Sequence, residues 1–308
     1  MPAAPRPGEY SCSAAIMVTL IAYLRLMRPR HWVKNGFVLV GLIFGHGFAS
    51  QVLLQKAGVL FAAFCLVSSA VYVMNDLLDR RADLAHPQKR HRPVASGAVP
   101  AGSALAFALG LAGIGLALAG WVSPVALALA ACYVVLNVGY SAGLKDVVIL
   151  DVFLIASGFM LRILAGTLGL DIAPSHWLLL CGLMLTVFLG FAKRRAELFA
   201  LSGQGGETLQ RRVLDDYSPK LLDQMIAISA AGTMITYALY TVDANTIATQ
   251  GTDRLVYTVP FVLYGLFRYL HLLYRGGGGA DPAAELLGDA HLLVATAGWL
   301  VLVLGLIA

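Results

Sequence analysis

The sequence predicts an all-α polytopic membrane protein, and three observations support this prediction. Hydrophobic residues make up 59% of the 308 positions and charged residues only 13%. The mean hydropathy is +0.77, which is too high for an ordinary soluble domain. Apolar runs recur along the chain, and each has the length of about twenty residues that a helix needs to cross a bilayer.

Nine apolar runs define the predicted transmembrane helices. No linker of domain-boundary length interrupts the series, so we expect residues 25–308 to form a single transmembrane domain. The predicted spans are residues 36–54, 56–75, 102–120, 122–141, 147–168, 175–192, 221–243, 255–274 and 289–308.

The first 24 residues differ from the rest of the chain. Residues 1–9 are rich in Pro and Ala, and residues 13–24 form a short apolar run that is followed by Arg25 and Arg28. A cleavable signal peptide has its positive charges before the apolar part, whereas here they follow it. We therefore expect residues 1–24 to form an N-terminal tail with an interfacial helix on the membrane surface.

The distribution of Lys and Arg predicts the orientation. If the N-terminus is cytoplasmic, the outer loops retain only Lys56 and Arg254, and the remaining positive charges lie on the cytoplasmic side. This positive-inside pattern predicts a multi-pass protein of the inner (plasma) membrane with its polar loops in the cytoplasm. It also accounts for the net charge of +5, and because no nucleic-acid-binding motif accompanies that charge, we expect no nucleic acid partner.

The most polar stretch of the chain is N-D-L-L-D-R-R-A-D-L-A-H-P-Q-K-R-H-R-P, which begins at the end of the second predicted span. Its carboxylates Asp76, Asp79 and Asp83 are spaced close to whole helical turns, so we expect them on one helix face. Three carboxylates on one face repel each other unless solvent or a cation neutralises them. Hard oxygen ligands in this pattern favour Mg²⁺, which completes its coordination shell with water and phosphate oxygens.

Cationic side chains follow the three aspartates directly. His86, Lys89 and Arg92 are candidates for binding the outer oxygens of a diphosphate. Pro87 and Pro93 prevent a continuous helix, so we expect a shaped loop here.

A second polar cluster ends the fourth predicted span and continues into the fifth. It contains Tyr140, Lys145, Asp146 and Asp151, and Lys145 is a candidate phosphate ligand. Arg162 lies deeper in the fifth span, where a charge must face the bundle interior or a wet cavity. We expect Arg162 to bind substrate or to pair with the acidic site.

A third polar cluster, at the inner end of the sixth span, is Lys193-Arg194-Arg195-Ala196-Glu197. Lys193 and Glu197 are four residues apart, so we expect them to pair on one helix face. Lys193 and Arg195 are candidate phosphate ligands, and topology or lipid headgroups are the alternative role for this run. Lys34, just before the first span, is a further candidate for facing the site.

These residues resemble the UbiA superfamily of intramembrane prenyltransferases. N-D-x-x-D-x-x-x-D at 75–83 is similar to the first Asp-rich motif of that superfamily. Further segments are similar to its decaprenyl-phosphate phosphoribosyltransferase branch. They are R-P-R-H-W-V-K-N at 28–35, D-x-x-H-P-x-K-x-x-R-P at 83–93, Y-S-x-x-L-K at 140–145, G-F-x-x-R at 158–162 and K-R-x-A-E-L at 193–198.

The resemblance implies a UbiA-like fold of nine helices around a central cavity, which is capped on the cytoplasmic side and has a lateral opening to lipid. It implies that Mg²⁺ is held on a diphosphate by Asn75, Asp76, Asp79 and Asp83, the last three being the catalytic carboxylates. It further implies phosphate binding by Lys89, Arg92, Tyr140 and Lys145.

In the branch that the chain resembles, the donor is phosphoribosyl pyrophosphate and the acceptor is decaprenyl (polyprenyl) phosphate. The product is a precursor of arabinosyl donors for cell-envelope glycans. Many superfamily members have a second motif, D-x-x-x-D. Here Asp146 and Asp151 are five residues apart and Lys145 precedes them, so a second Mg²⁺ is not expected in this segment. A basic residue at this position favours a donor with an additional phosphate.

Two alternatives remain open from the sequence. One is the transfer of a prenyl group from a prenyl diphosphate to an aromatic acceptor, which is the other chemistry of the superfamily. The second is a cation-coupled transporter that uses intramembrane aspartates as a relay, which would need broken helices and ionisable groups near the bilayer midplane.

Overall fold

The computed structural model describes residues 12–44, 50–85, 87, 89–202, 214, 216–276 and 282–307, and this part of the chain contains helices but no β-strand. The predicted all-α class is therefore confirmed. The α-helices of the described part are α1 (Cys12–Met27), α2 (Val40–Phe44), α3 (Gln51–Leu78), α4 (Arg80–Ala85), α5 (Ala101–Val122), α6 (Pro124–Ser141), α7 (Leu150–Thr167), α8 (His176–Ser202), α9 (Pro219–Val242), α10 (Ala244–Gln250), α11 (Val259–Gly276), α12 (Pro282–Gly288) and α13 (Ala290–Ile307).

Within the described residues, 8 helical segments are long and apolar enough to cross a membrane. They correspond to the last eight predicted spans, which confirms a polytopic membrane protein. The largest differences from the prediction are in α3, which begins earlier, at Gln51, and in α8, which continues to Ser202. The segments are α3, α5, α6, α7, α8, α9, α11 with the preceding turn, and α13.

The first predicted span, residues 36–54, is not a single regular helix where the structure describes it. A 3₁₀-helix, Pro29–Leu39, leads directly into the short α2, and residues 51–54 already belong to α3. Residues 45–49 lie outside the described part of the chain. The count of nine spans therefore stays a prediction.

The N-terminal segment forms α1, which packs on α3. Ala22 and Leu26 of α1 are buried in one cluster with Val73 of α3. The helix ends at Met27 and is followed by Arg28, a non-glycine residue in the left-handed conformation (φ 50°), which precedes Pro29. The interfacial position of this helix and the domain boundary at residue 25 stay predictions.

α3 and α7 are the most enclosed of the described membrane-spanning helices, with 61% and 50% of an apolar 18-residue segment of each buried. α3 packs on α5, α6 and the 29–39 segment, while α8 packs on α7 and α9. α7 contributes Ala156 to the cluster shared with α8 and α9, and Ala165 to the cluster shared with α3 and α6. It therefore forms a common wall between the two halves of the bundle.

Two of the helices begin with a capping serine. Ser123 caps α6 and Ser218 caps α9 through their side-chain oxygens, and a Pro follows each of them at the first helical position.

The alternating directions of the helices bring the polar clusters to one end of the bundle. α3, α6 and α8 end where α7 and α9 begin. The acidic stretch and the other two polar clusters therefore lie at the same end of the bundle.

Two glycines permit a very close approach of two helices at the opposite end. A β-carbon at Gly41 in α2 would overlap the carbonyl of Gly166 in α7, and one at Gly166 would overlap the carbonyl of Val38. Only glycine allows backbones to approach so closely. This contact fixes the 29–44 segment against the common wall.

Candidate active site

The acidic residues lie where α3 ends and α4 begins. Asp76, in the last turn of α3, is 2% exposed, and Asp83, in α4, is 3% exposed. Asp79 separates the two helices with φ −84° and ψ 2°. Its amide donates to the Asn75 carbonyl (2.9 Å), and its carbonyl accepts from the Asp83 amide (2.8 Å). Helical hydrogen bonding thus continues through the junction and fixes the relative positions of the three carboxylates.

Arg92 brings two of these carboxylates together. Its Nη1 lies 3.1 Å from Asp76 Oδ1 and 2.8 Å from Asp83 Oδ2. Because one nitrogen contacts both, Asp76 and Asp83 face the same point, as their spacing predicted. The loop that contains Arg92 folds back over the end of α3, and this loop includes the 3₁₀ turn with Lys89.

Asp79 faces a different partner. Its Oδ1 accepts a hydrogen bond of 2.7 Å from Lys145 Nζ in the connection between α6 and α7. The hydroxyl of Ser141, at the end of α6, donates to Asn75 Oδ1 at 3.0 Å. The end of α6 therefore reaches both the Asn75 end and the Asp79 position of the acidic stretch.

Arg28 is a site residue that the sequence reasoning missed. Its Nη2 lies 2.5 Å from Asp76 Oδ1, and its guanidinium carbon lies 5.1 Å from the centre of the Tyr72 ring. A left-handed non-glycine residue is strained, and such strain is found most often at functional sites. The cluster of Arg residues before the first span was the available signal, but it also fits the positive-inside rule.

A second buried cluster lies beside Tyr140. Arg194, which is 1% exposed, donates from Nε to Asp151 Oδ2 at 2.5 Å and from Nη2 to the Tyr140 hydroxyl at 3.2 Å. Its Nη1 contacts Glu197. Sequence reasoning missed Arg194 as well, because a cation between Lys193 and Arg195 has the appearance of a topological charge.

Tyr217 completes the contacts of Asp151. Its hydroxyl donates to Asp151 Oδ1 at 2.8 Å and accepts from the Ile149 amide at 2.7 Å. Burial, and after it the hydrogen bond to the Asp151 carboxylate, raises the pKa of Tyr217 above its ordinary value. Both Asp151 oxygens are engaged, so this carboxylate anchors its neighbours and is turned away from the acidic residues of α3 and α4.

Arg162 is not brought to the acidic residues. It lies in α7, about three turns beyond Asp151. It donates to Asn35 Oδ1, the Gly158 carbonyl and the Tyr133 hydroxyl, each at 2.8 Å. It is buried and faces the bundle interior as expected, but in the described residues its partners are uncharged, so the expected ion pair with the acidic site is wrong.

Two of the remaining candidates, Lys193 and Arg195, form ion pairs that do not include the three aspartates. Lys193 and Glu197 form the predicted same-face pair, with 4.0 Å between Lys193 Nζ and Glu197 Oε1. Arg195 lies 2.6 Å from Asp223 Oδ1 and stacks over the Tyr274 ring at 3.9 Å, which links α8, α9 and α11. Lys34 is half-buried in the 29–39 segment. His86 lies outside the described residues.

Comparison with known proteins identifies the fold family. A sequence model described as the UbiA prenyltransferase family matches residues 35–292. The chain belongs to the UbiA prenyltransferase family. It is thus an integral-membrane enzyme, which removes support for the transporter alternative.

Bacterial relatives of this UbiA-family chain match it over nearly its whole length. A decaprenyl-phosphate phosphoribosyltransferase of Corynebacterium glutamicum is 33% identical over 90% of this chain and 83% of that protein. One of Mycolicibacterium smegmatis is 31% identical over 90% of this chain and 89% of the relative.

A solved structure has the same fold. It is a UbiA homolog from Archaeoglobus fulgidus bound to GPP and Mg²⁺, which superimposes with a TM-score of 0.70 at 18% identity and covers 93% of this chain and 99% of that chain. At this identity the similarity establishes the fold alone.

The carboxylates of this UbiA-family chain fit a magnesium ion chemically. In the described residues, no group of three His, Cys, Asp or Glu side chains is already assembled as a metal site. Mg²⁺ requires only one or two carboxylates beside phosphate and water oxygens. Asp76 and Asp83, which face one point, supply that number, and Asn75 and Asp79 add oxygens next to them.

Proposed function

We propose that this protein transfers the 5-phosphoribosyl group of phosphoribosyl pyrophosphate to decaprenyl (polyprenyl) phosphate and releases diphosphate. The observation that supports this most is the direct contact of Arg28, Arg92 and Lys145 with the carboxylates of α3 and α4. A donor with three phosphate groups finds metal ligands and cations side by side there. The two bacterial relatives, which match along most of the chain and are named decaprenyl-phosphate phosphoribosyltransferases, favour the same reaction.

The chemistry explains why these residue types suffice. The bond between ribose C1 and the diphosphate oxygen breaks, and a bond from C1 to an oxygen of the lipid phosphate forms. Positive charge develops on the ribose ring, as in glycoside cleavage. Negative charge grows on the leaving diphosphate, and Arg28, Arg92 and Lys145 are placed to stabilise it. Mg²⁺, when bound by Asp76 and Asp83, would neutralise further diphosphate charge.

The acceptor needs no general base. The second pKa of a phosphate monoester is about 6, so the lipid phosphate is already ionised at neutral pH. This fits a site composed of carboxylates and cations. The acceptor is membrane-bound and the donor is charged and water-soluble, so they must meet at the membrane surface. We place that meeting point at the cytoplasmic face of the plasma membrane, because the positive-inside pattern puts the acidic residues there.

A product assay tests the proposal. Purified protein is given Mg²⁺, phosphoribosyl pyrophosphate and decaprenyl phosphate in one reaction, and geranyl diphosphate with 4-hydroxybenzoate in another. We expect a phosphoribosyl lipid, detected by mass spectrometry, only in the first. A prenylated aromatic product without any phosphoribosyl lipid would contradict the proposal and establish the alternative reaction.

A further inference from the structure

A buried charged cluster beneath Tyr140 has no part in the mechanism described so far. It consists of the buried Arg194, Asp151 and Tyr217 and the half-buried Glu197. Asp151 is 0% exposed and Arg194 is 1% exposed, so neither is a solvated topological charge. A buried guanidinium requires paired charges, and both Asp151 and Glu197 supply them.

The hydrogen bonds of Arg194 determine the role of the Tyr140 hydroxyl. A guanidinium has donors only, so in the 3.2 Å contact with Arg194 Nη2 the Tyr140 oxygen is the acceptor. The Tyr140 O–H is therefore left to donate elsewhere. In the described part of the chain, no carboxylate or carbonyl accepts that proton.

Tyr140 stands next to the acidic site through its neighbours in the chain. Ser141 binds Asn75 at 3.0 Å, and Lys145 binds Asp79 at 2.7 Å. Tyr140 is half-buried at the end of α6, between these contacts and Arg194. The Tyr140 hydroxyl can thus donate a hydrogen bond where the donor's phosphates would lie.

We propose that Arg194 is a positioning residue that holds the Tyr140 hydroxyl as a hydrogen-bond donor to the diphosphate of the substrate. Asp151 fixes Arg194 in turn, since its other oxygen is held by Tyr217. This inference rests on the proposed function for the identity of the full substrate. It concerns only the diphosphate part, so magnesium pyrophosphate alone serves as a probe for it.

The test compares Y140F, R194K and the double variant with wild type. Y140F removes the donated proton, and R194K keeps the charge but cannot reach three acceptors. The matched control is R268Q, which removes an Arg–Asp pair (Arg268 with Asp289, 2.7 Å) between α11 and the residue that precedes α13. The measurements are the Kd for magnesium pyrophosphate by calorimetry, the KM for phosphoribosyl pyrophosphate, and the thermal unfolding midpoint.

We expect Y140F and R194K each to raise the Kd and the KM roughly tenfold, the loss of one hydrogen bond to a charged group. The Kd and the KM of the double variant should lie within about twofold of those of the single variants, because both changes remove the same hydrogen bond. R268Q should lower the unfolding midpoint but leave both constants within about twofold. Multiplied effects in the double variant, or an R194K Kd within twofold of wild type, would overturn the proposal.

Two outcomes keep the inference separate from the proposed function. If R194K does not fold, D151N weakens the anchoring of Arg194 while keeping the guanidinium, and an unchanged Kd in D151N overturns the inference. If wild type forms no phosphoribosyl lipid but the variants show the expected pattern with magnesium pyrophosphate, the proposed function fails and the inference stands.

Discussion

Arg92 holds two carboxylates with a single nitrogen, and this contact explains why the acidic residues are stable without solvent around them. Asp76 and Asp83 are nearly inaccessible. Buried carboxylates are costly unless a cation is in contact with them. The cations that stabilise these aspartates are also the groups that the proposed reaction needs.

The first prediction concerns Asp83. D83N should lower kcat by at least about a hundredfold, because removing a group that stabilises transition-state charge has effects of this size. The unfolding midpoint should change by only a few degrees, since Asn keeps the shape. Steady-state kinetics and thermal unfolding check both expectations. D146N, at an exposed carboxylate beside Lys145, is the control. Full turnover in D83N would contradict the metal assignment.

The second prediction concerns pH. A hydrogen bond from Arg268, and after it one from the Leu292 amide, lowers the pKa of Asp289 to about 2. A carboxylate with a lowered pKa stabilises the folded state above its unfolded pKa of about 4, and this contribution is lost as the pH falls towards 2. The difference in unfolding midpoint between wild type and R268Q should therefore be full at pH 6 and shrink between pH 4 and 2. A difference that stays constant across that range would contradict the lowering of the Asp289 pKa by Arg268.

At the scale of helices, the contact between α2 and α7 limits what the chain tolerates. G166A should destabilise the protein by at least about 2 kcal/mol, because the new methyl group meets backbone atoms that cannot move aside. G110A is the matched control, since a β-carbon added at Gly110 would have nothing within 4 Å of it. Chemical or thermal unfolding of both variants in detergent checks this prediction. Equal stabilities would show that the backbones can separate.

The long helices were predictable from the sequence, and the irregular segment before them was not. Apolar runs identify α5 and α13 because lipid requires apolar surfaces of fixed length. The 3₁₀-helix Pro29–Leu39 packs against Gly166 through Val38, and these two segments come together only in the folded chain. No local pattern indicates such a contact.

Some of the candidate site residues were likewise predictable from the sequence, and others were not. Asp76 and Asp83 were predictable because their spacing alone places them on one face. Arg28 and Arg194 were not, because their burial depends on which helices pack around them. A positive charge beside other positive charges is most simply explained by the positive-inside rule. Only tertiary contacts distinguish a charge that sets the topology from one that belongs to the site.

At the scale of the whole molecule, the proposed orientation can be tested with single cysteines. A variant without native cysteines but with D253C, at an exposed position before α11, should react with an impermeant maleimide in intact cells. The corresponding R90C variant should react only after the membrane is permeabilised. The reverse pattern would place the acidic residues outside and contradict the proposed cytoplasmic site.

The uncharged surroundings of Arg162 have a consequence for ion leakage. In the described residues, this guanidinium has Asn35, Tyr133 and Gly158 as partners, so its positive charge is not cancelled nearby. A proton or metal ion that moved inward from the carboxylates would meet a like charge in the middle of the bundle, the arrangement that excludes cations from some pores. We expect that the enzyme can keep these buried carboxylates at one end of the bundle in an energised membrane without dissipating the potential across it.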